Sequence, residues 1–114
     1  MKETDIYISG HYWDQRAPIL ISHEDLEKDT AKLKVVADIS CDIAGPIACT
    51  IRPSTIDDPI YGYHRNDHIE CDALDIDAIA VMAVDNLPCE LPRDASEGFG
   101  STLSEIVLPE LVKS

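Results

Sequence analysis

The chain has 114 residues, with 22 acidic against 9 basic side chains and a formal charge of −13. That length makes one domain, not two, and such acidity excludes nucleic acid and anionic membrane as partners, since both require lysine and arginine. No apolar run nears the roughly 20 residues of a membrane helix.

Met1-Lys2-Glu3-Thr4-Asp5 has no apolar stretch behind it to make a secretory signal. The expectation is a cytoplasmic protein, with Cys41, Cys49, Cys71 and Cys89 as free thiols. The acidity itself reads as a solubility device.

Asp5–Ser9, DIYIS, is β-branched and aromatic and stops at Gly10, as a buried strand would. Gly10–Ile21 is irregular. Its cluster of His11, Tyr12, Trp13, Arg16 and Pro18 is either a ligand lip or an apolar plug over the sheet, and packing is the commoner role for tryptophan. Ser22 opens a helix expected to reach about Ala31, with Asp25 where the acid of a capping box belongs. His23 in its first turn reads as solvated. Leu33–Asp38 is the next strand, continuous enough in apolar residues to be covered on both faces. Gly45-Pro46 marks a turn, and Ile47–Ile51 is a candidate short strand.

Arg52–Asp67 reads as a long polar loop, the kind that is functional or mobile in a compact domain. Its Asp57-Asp58-Pro59 could hold a metal or a cationic substrate, although Asp before Pro is ordinary turn chemistry. Two further apolar runs, His68–Ala73 and Ile76–Asp85, follow. Ile79–Val84 within the second is fit for a central strand. Asp94, with Glu97 three residues on, reads as the cap of a final helix, about Ala95–Val112. Phe99, Leu103, Ile106, Val107 and Leu111 would give it one buried face. Gly98, Gly100 and Pro109 make it poor in isolation, so something must pack on it.

The pattern implies an α/β fold: the last strands of a doubly wound, Rossmann-like parallel sheet plus a long C-terminal helix. Residues 1–93 would be the C-terminal half of a nucleotide-binding domain, and 94–114 a helix returning from it. Parallel strands need cover on both faces. One short helix before Leu33, and none between Leu33 and Ile79, cannot supply it. That is the signature of a fragment or of obligate assembly. Ligands in such sheets sit beyond the carboxyl ends of the strands. Ile39-Ser40-Cys41-Asp42 and Val84-Asp85-Asn86-Leu87-Pro88 would line one crevice there.

Several chemistries lack their residues. No GxGxxG or GxxxxGK turn exists to present backbone amides to a pyrophosphate. The cysteines are spaced by 8, 22 and 18 residues, unlike the close pairs of zinc sites. Cys41 stands between Ser40 and Asp42, where a carboxylate would raise its pKa, so it reads as a small filler residue near a ligand rather than a nucleophile. Ser40 and Ser54 lack a nucleophile-elbow context.

VVADISCDIAGPI, STIDDPIYGY and VMAVDNLPCELPRDASEGFG occur in this order over nearly the whole chain. Together they resemble the lysine-forming saccharopine dehydrogenases and lysine–2-oxoglutarate reductases, of the alanine dehydrogenase/transhydrogenase superfamily. The resemblance implies an NAD(P)-dependent oxidoreductase acting on the C–N bond of saccharopine. Asp5–Ser9, Leu33–Asp38 and Ile79–Val84 would be the last three strands of its Rossmann domain. It further implies NAD or NADP contacts from Ile39, Val84, Asp85, Asn86 and Leu87, and contacts to the small-molecule substrate from Ser40, Cys41 and Asp42. The family's catalytic Lys and His and its glycine turn have no counterpart here, so the chain carries no catalytic residue and no metal site of its own. Its implied partner is the missing N-terminal catalytic and glycine-loop portion, or a second copy through self-association. The alternative is a non-catalytic, dehydrogenase-derived binding or interaction module.

Overall fold

The computed structural model describes residues 3–28 and 32–113. Five strands form one sheet in the order β1-β2-β5-β3-β4. β1 (Ile6–Ser9), β2 (Val35–Asp38) and β5 (Ala78–Met82) are the expected runs, and they lie parallel to one another. The register sets Ser9 beside Asp38 and Val36 beside Val81. Their α/β arrangement, with a long helix after the last strand, is the Rossmann-like pattern read from the sequence.

The expected loop at Arg52–Asp67 is not all loop. Its second half forms β3 (Ile60–His64), antiparallel to β5, and β4 (Glu70–Cys71) pairs with β3 in turn. The polar flanks hide a strand whose alternate residues, Tyr61 and Tyr63, point into the core. Gly62 stands between them because there is no room for a Cβ: it would lie 2.5 Å from the carbonyl oxygen of Asp72. Ile47–Ile51 is no strand. Ile47 makes an isolated bridge to Ile21, and the segment turns back on itself through Thr50 N–H to the Ile47 carbonyl, 3.1 Å. His68–Ala73 contributes only the two residues of β4.

α1 (His23–Glu27) is shorter than the expected helix to about Ala31: Lys28 is already extended and ends it, and residues 29–31 lie outside the described residues. The capping box forms as read: the Asp25 amide donates to Ser22 Oγ, 3.2 Å, and the Ser22 amide donates to Asp25 Oδ2, 3.1 Å. His23 is not simply solvated. Its Nδ1 makes a 2.7 Å hydrogen bond with the Tyr63 hydroxyl, and its ring stacks on His68, centroids 4.4 Å apart. His68 Nε2 lies 2.6 Å from Glu27 Oε1, close for an ion pair but too far off line for a good hydrogen bond.

The core lies on one face of the sheet. Val36, Ile79, Val81, Tyr61 and Tyr63 meet Leu26 of α1 and Ile21, Leu33, Ile47 and Cys49 of the connections. Leu26 is fully buried, an apolar transfer of about 2 kcal/mol. On the opposite face the backbone of Asp72 and Ala73 lies over Gly62, and among the described residues no helix covers the rest. Ile6, Ile8 and Ile60 are 61, 65 and 52 % exposed there. The parallel register sets Val35, Ala37, Ala80 and Met82 on the same side.

The C-terminal helix is a rod in three parts: α2 (Pro92–Thr102), a π turn (Leu103–Val107) and α3 (Leu108–Val112). Asp94 is not its cap. Leu91 is, with no side-chain bond, and Pro92 takes the first position, where its missing N–H costs nothing. The π turn ends two residues before Pro109. A proline there has no N–H to give the ladder and its ring crowds the carbonyl four residues back, so the helix widens to absorb it. None of these helical residues is buried.

Candidate functional site

Three parallel strands end side by side, and a buried carboxylate organises that end. Asp38, the last residue of β2, is fully buried, and no salt bridge reaches it among the described residues. A charge in that setting is tolerable only if donors surround it. Ser9 Oγ at the end of β1 donates to Asp38 Oδ1 at 2.7 Å, and Ser40 Oγ donates to the same oxygen at 2.5 Å. The Cys41 amide reaches it at 3.1 Å, and Thr50 Oγ1 donates to Oδ2 at 2.7 Å. Burial pushes the Asp38 carboxyl up, but the hydroxyls of Ser40, Ser9 and Thr50 and the Cys41 amide together outweigh it and hold it below the usual range.

This network ties the loop after β2 down at both ends. Ser40 and Thr50 grip one carboxylate, and the Ala44 amide donates to the Thr50 carbonyl, 3.3 Å. Inside the loop, Cys41 and Ala44 have φ of 50° and 52°, left-handed values uncommon without glycine. Gly45 closes the turn with its amide on the Asp42 carbonyl at 3.0 Å. A Cβ at Gly45 would meet that carbonyl oxygen and the Asp42 Cβ at 2.7 Å.

The Cys41 thiol donates to the Ala83 carbonyl, 3.2 Å, so the loops after β2 and after β5 touch. Burial raises the Cys41 pKa, and the carboxylates of Asp85, Asp38 and Asp42 add to it. Asp42 and Asp85 therefore act on one thiol from the same end of the sheet. Beyond β5 the chain is held by Ser54: its Oγ accepts the Ala83 amide, and its own amide donates to the Ala83 carbonyl, both 2.9 Å.

The structure places the residues named from the sequence as follows. Ile39 is 48 % exposed beside Ser9, its amide on the Ser9 carbonyl. Ser40 and Cys41 are half-buried, with their donors turned inward to Asp38 and Ala83. Asp42 is half-buried, while Asp85 and Asn86 are exposed. Val84 and Leu87 line a shallow pocket of about 270 Å³ with Ile56, Pro59, Met82 and Glu90. A larger cavity of about 450 Å³ borders the same loop at Ala44, Gly45 and Thr50 and takes none of the residues named from the sequence. In the loop after β1, Trp13 donates from Nε1 to the Pro18 carbonyl at 3.2 Å, while Tyr12 is 91 % exposed and plugs nothing.

A family model, "Alanine dehydrogenase/PNT, C-terminal domain", matches residues 1–111. The chain belongs to this family. Among curated relatives, it is 36 % identical over 107 residues to an alpha-aminoadipic semialdehyde synthase of Arabidopsis thaliana, covering 91 % of this chain and 10 % of that protein. It is 32 % identical over 114 residues to the saccharopine dehydrogenase [NAD(+), L-lysine-forming] of Yarrowia lipolytica, covering 97 % of this chain and 28 % of the relative. The same enzyme of Schizosaccharomyces pombe is 29 % identical over 116 residues, 96 % of this chain and 28 % of the relative. The chain thus spans well under a third of these relatives. They support an oxidoreductase family of lysine metabolism.

In this member of the alanine dehydrogenase/PNT C-terminal domain family, sequence reasoning found the two loops and missed what holds them. Asp38, Ser9 and Thr50 were not picked out. The signal was there: DIYIS and VVAD both end an apolar run on one polar residue, and a parallel register brings those two ends together. Among the described residues no helix is long and apolar enough to cross a membrane.

Proposed function

We propose that this chain is the C-terminal segment of an NAD(P)-dependent oxidoreductase acting on the C–N bond of saccharopine. In that reaction the secondary amine is oxidised to an imine, and water splits the imine to lysine and 2-oxoglutarate; the reductase direction reverses it. The observation that supports this most is the contact between the two loops, Cys41 Sγ on the Ala83 carbonyl, at the shared end of three parallel strands. That is where this sheet class takes its ligands.

The residues present fit part of a dinucleotide. Ile39 and Leu87 offer an apolar surface for a flat ring, and Asn86 offers a carboxamide. They do not fit the pyrophosphate: no glycine here has a positive φ, so there is no turn of glycine amides to hold it. When bound, the nicotinamide supplies a hydride acceptor. This chain's part is to hold and orient. With their own hydrogens committed to Asp38 and Ala83, Ser40 and Cys41 have only acceptor capacity left for a ligand. Asp42 and Asp85 supply negative charge for a substrate ammonium group. The proton-handling Lys and His and the glycine turn would come from an upstream portion. The free edge of β1 is where its strands would continue the sheet. The four free thiols suit a cytoplasmic setting.

Complementation tests this. The chain is co-expressed with the Yarrowia lipolytica enzyme deleted for its matching C-terminal part, and saccharopine-dependent NADH formation is followed. Restored activity, weakened by Asp42→Asn, is expected. No activity despite a stable co-purifying complex would favour the second reading, a non-catalytic interaction module. That reading draws on the uncovered apolar face, which suits a binding surface as well as an unfinished enzyme.

A further inference from the structure

The cavity behind the loop after β2 is built from parts of the chain that the proposed reaction does not use. Ile19 and Ile21 come from the connection before α1, His23 from the first turn of α1, and Ala48 and Ile51 from the stretch that runs on toward β3. It measures about 450 Å³, within the roughly 300–1,000 Å³ of small-molecule sites. It lies on the side of the sheet that carries the core, opposite the open face.

Donors along its walls are taken up within the chain. The Leu20 and Ile21 amides donate to the Pro46 carbonyl and the Ala48 amide to the Ile21 carbonyl, each at 2.9 Å. The Ala44 amide goes to the Thr50 carbonyl. Thr50 Oγ1 is spent on Asp38 and Ser22 Oγ on Asp25. No lysine, arginine, aspartate or glutamate lines the cavity. The exposed ring of His23 is its polar handle: Tyr63 holds Nδ1 at 2.7 Å, and Nε2 makes no hydrogen bond with the described residues.

We propose that this cavity binds a small neutral molecule, one or two apolar rings carrying a single hydrogen-bonding group, and that its occupancy sets the position of Asp42. A charged ligand would leave water for walls that hold no counter-charge. A neutral ring system keeps the apolar contact, and its one hydroxyl or N–H meets His23. The path to Asp42 is short. Ala44 and Gly45 form one wall, and the Gly45 amide bonds the Asp42 carbonyl at 3.0 Å. That turn has no slack, since a Cβ on Gly45 would lie 2.7 Å from the same carbonyl oxygen. A molecule pressed against Ala44 and Gly45 therefore moves Asp42 with them. The site includes none of the residues that line the crevice, and it does not rest on the oxidoreductase reading.

Indole, neutral with one N–H, is the probe. Titrated into the isotope-labelled full chain, it should shift the amide resonances of Ala44, Gly45 and Ala48 saturably. Asp42 should move in step, and Leu74 and Glu110, which line no part of the cavity, should stay. The charged analogues indoleacetate and tryptamine should bind about tenfold more weakly or worse, because each loses hydration without a partner. Ile19→Asp puts a charge on a wall residue that is 55 % exposed. It should weaken indole about tenfold with the fold kept by circular dichroism. The two analogues decide the matter on the unaltered chain, whatever that variant does to folding. No saturable shift up to the solubility limit of indole overturns the proposal. So does indoleacetate or tryptamine binding as tightly as indole, or saturation at residues away from Ala44 and Gly45. Saturation that leaves Asp42 in place overturns the link to the loop.

Discussion

Ser9 and Asp38, 29 residues apart in sequence, end two neighbouring parallel strands at the same register position and share a 2.7 Å hydrogen bond. That pair locks the ends of β1 and β2, and through Ser40 and Thr50 the same carboxylate fixes the loop carrying Cys41 and Asp42. Replacing Asp38 with asparagine keeps the shape but turns an acceptor into an NH2 facing hydroxyls and an amide. Hydrogen bonds to a charged group contribute about 1.5–3 kcal/mol each, and the stranded donors add a penalty. Asp38→Asn should cost about 3 kcal/mol in urea unfolding, and more than Ser9→Ala, which leaves the other donors in place.

The same carboxylate gives a pH dependence with a definite sign. Its donors hold the folded pKa below 3.8. The unfolded chain therefore takes up the proton first on acidification, and the stability that Asp38 supplies is full above about pH 4–5 and lost as pH falls through the folded pKa. Asp25, lowered to about 2 by Lys28 and by the Ser22 amide and hydroxyl, acts in the same direction. Melting temperature measured from pH 6 to pH 2 should fall for the wild type. The fall should be shallower for Asp38→Asn, and parallel curves would count against this assignment.

Gly45 and Gly62 are required for space, not for backbone angle. Alanine at Gly62 drives a Cβ to within 2.7 Å of backbone atoms of Asp72 and Ala73, so β3 and the chain beside it must part. Gly62→Ala should destabilise the whole domain, by about 1–3 kcal/mol for overpacking against backbone. Gly45→Ala meets only its own turn. It should shift Asp42 more than it lowers the melting temperature. In the complementation assay it should raise KM for saccharopine with little change in unfolding midpoint.

The sequence displayed the parallel trio because each of its strands is an unbroken apolar run, and the two loops because each follows such a run. β3 was illegible for a physical reason. IYGYH alternates a core tyrosine with glycine, sits between acids and prolines, and has its second face uncovered at Ile60, so its composition is that of a loop. Asp38 was illegible because burial of a carboxylate follows from donors supplied at Ser9 and Thr50, which only the register brings near. The helix after β5 was expected, and so was its want of a packing partner. Its start was misjudged: Asp94 has the chemistry of a cap, but Pro92 begins the helix before it.

Thiol reactivity separates the four cysteines by burial. Cys89 is exposed within the 3-10 turn Leu87–Glu90. Burial pushes Cys71 up, with Asp75, Asp72 and Glu70 adding to it. Cys41 is raised by burial and by the carboxylates of Asp85, Asp38 and Asp42, and its hydrogen is committed to Ala83. Cys49 is fully buried in the core and pushed up to about 12, chiefly by burial. Since the thiolate is the reacting form, an aromatic disulfide reagent at pH 8 should modify Cys89 first, then Cys71. Cys41 should follow slowly, and Cys49 only on unfolding. Asp85→Asn removes one of the charges holding Cys41 up and should quicken its modification while leaving Cys89 unchanged. Equal rates in the two proteins would mean that the loop after β5 does not stand against Cys41 in solution, and the shared crevice would lose its second wall.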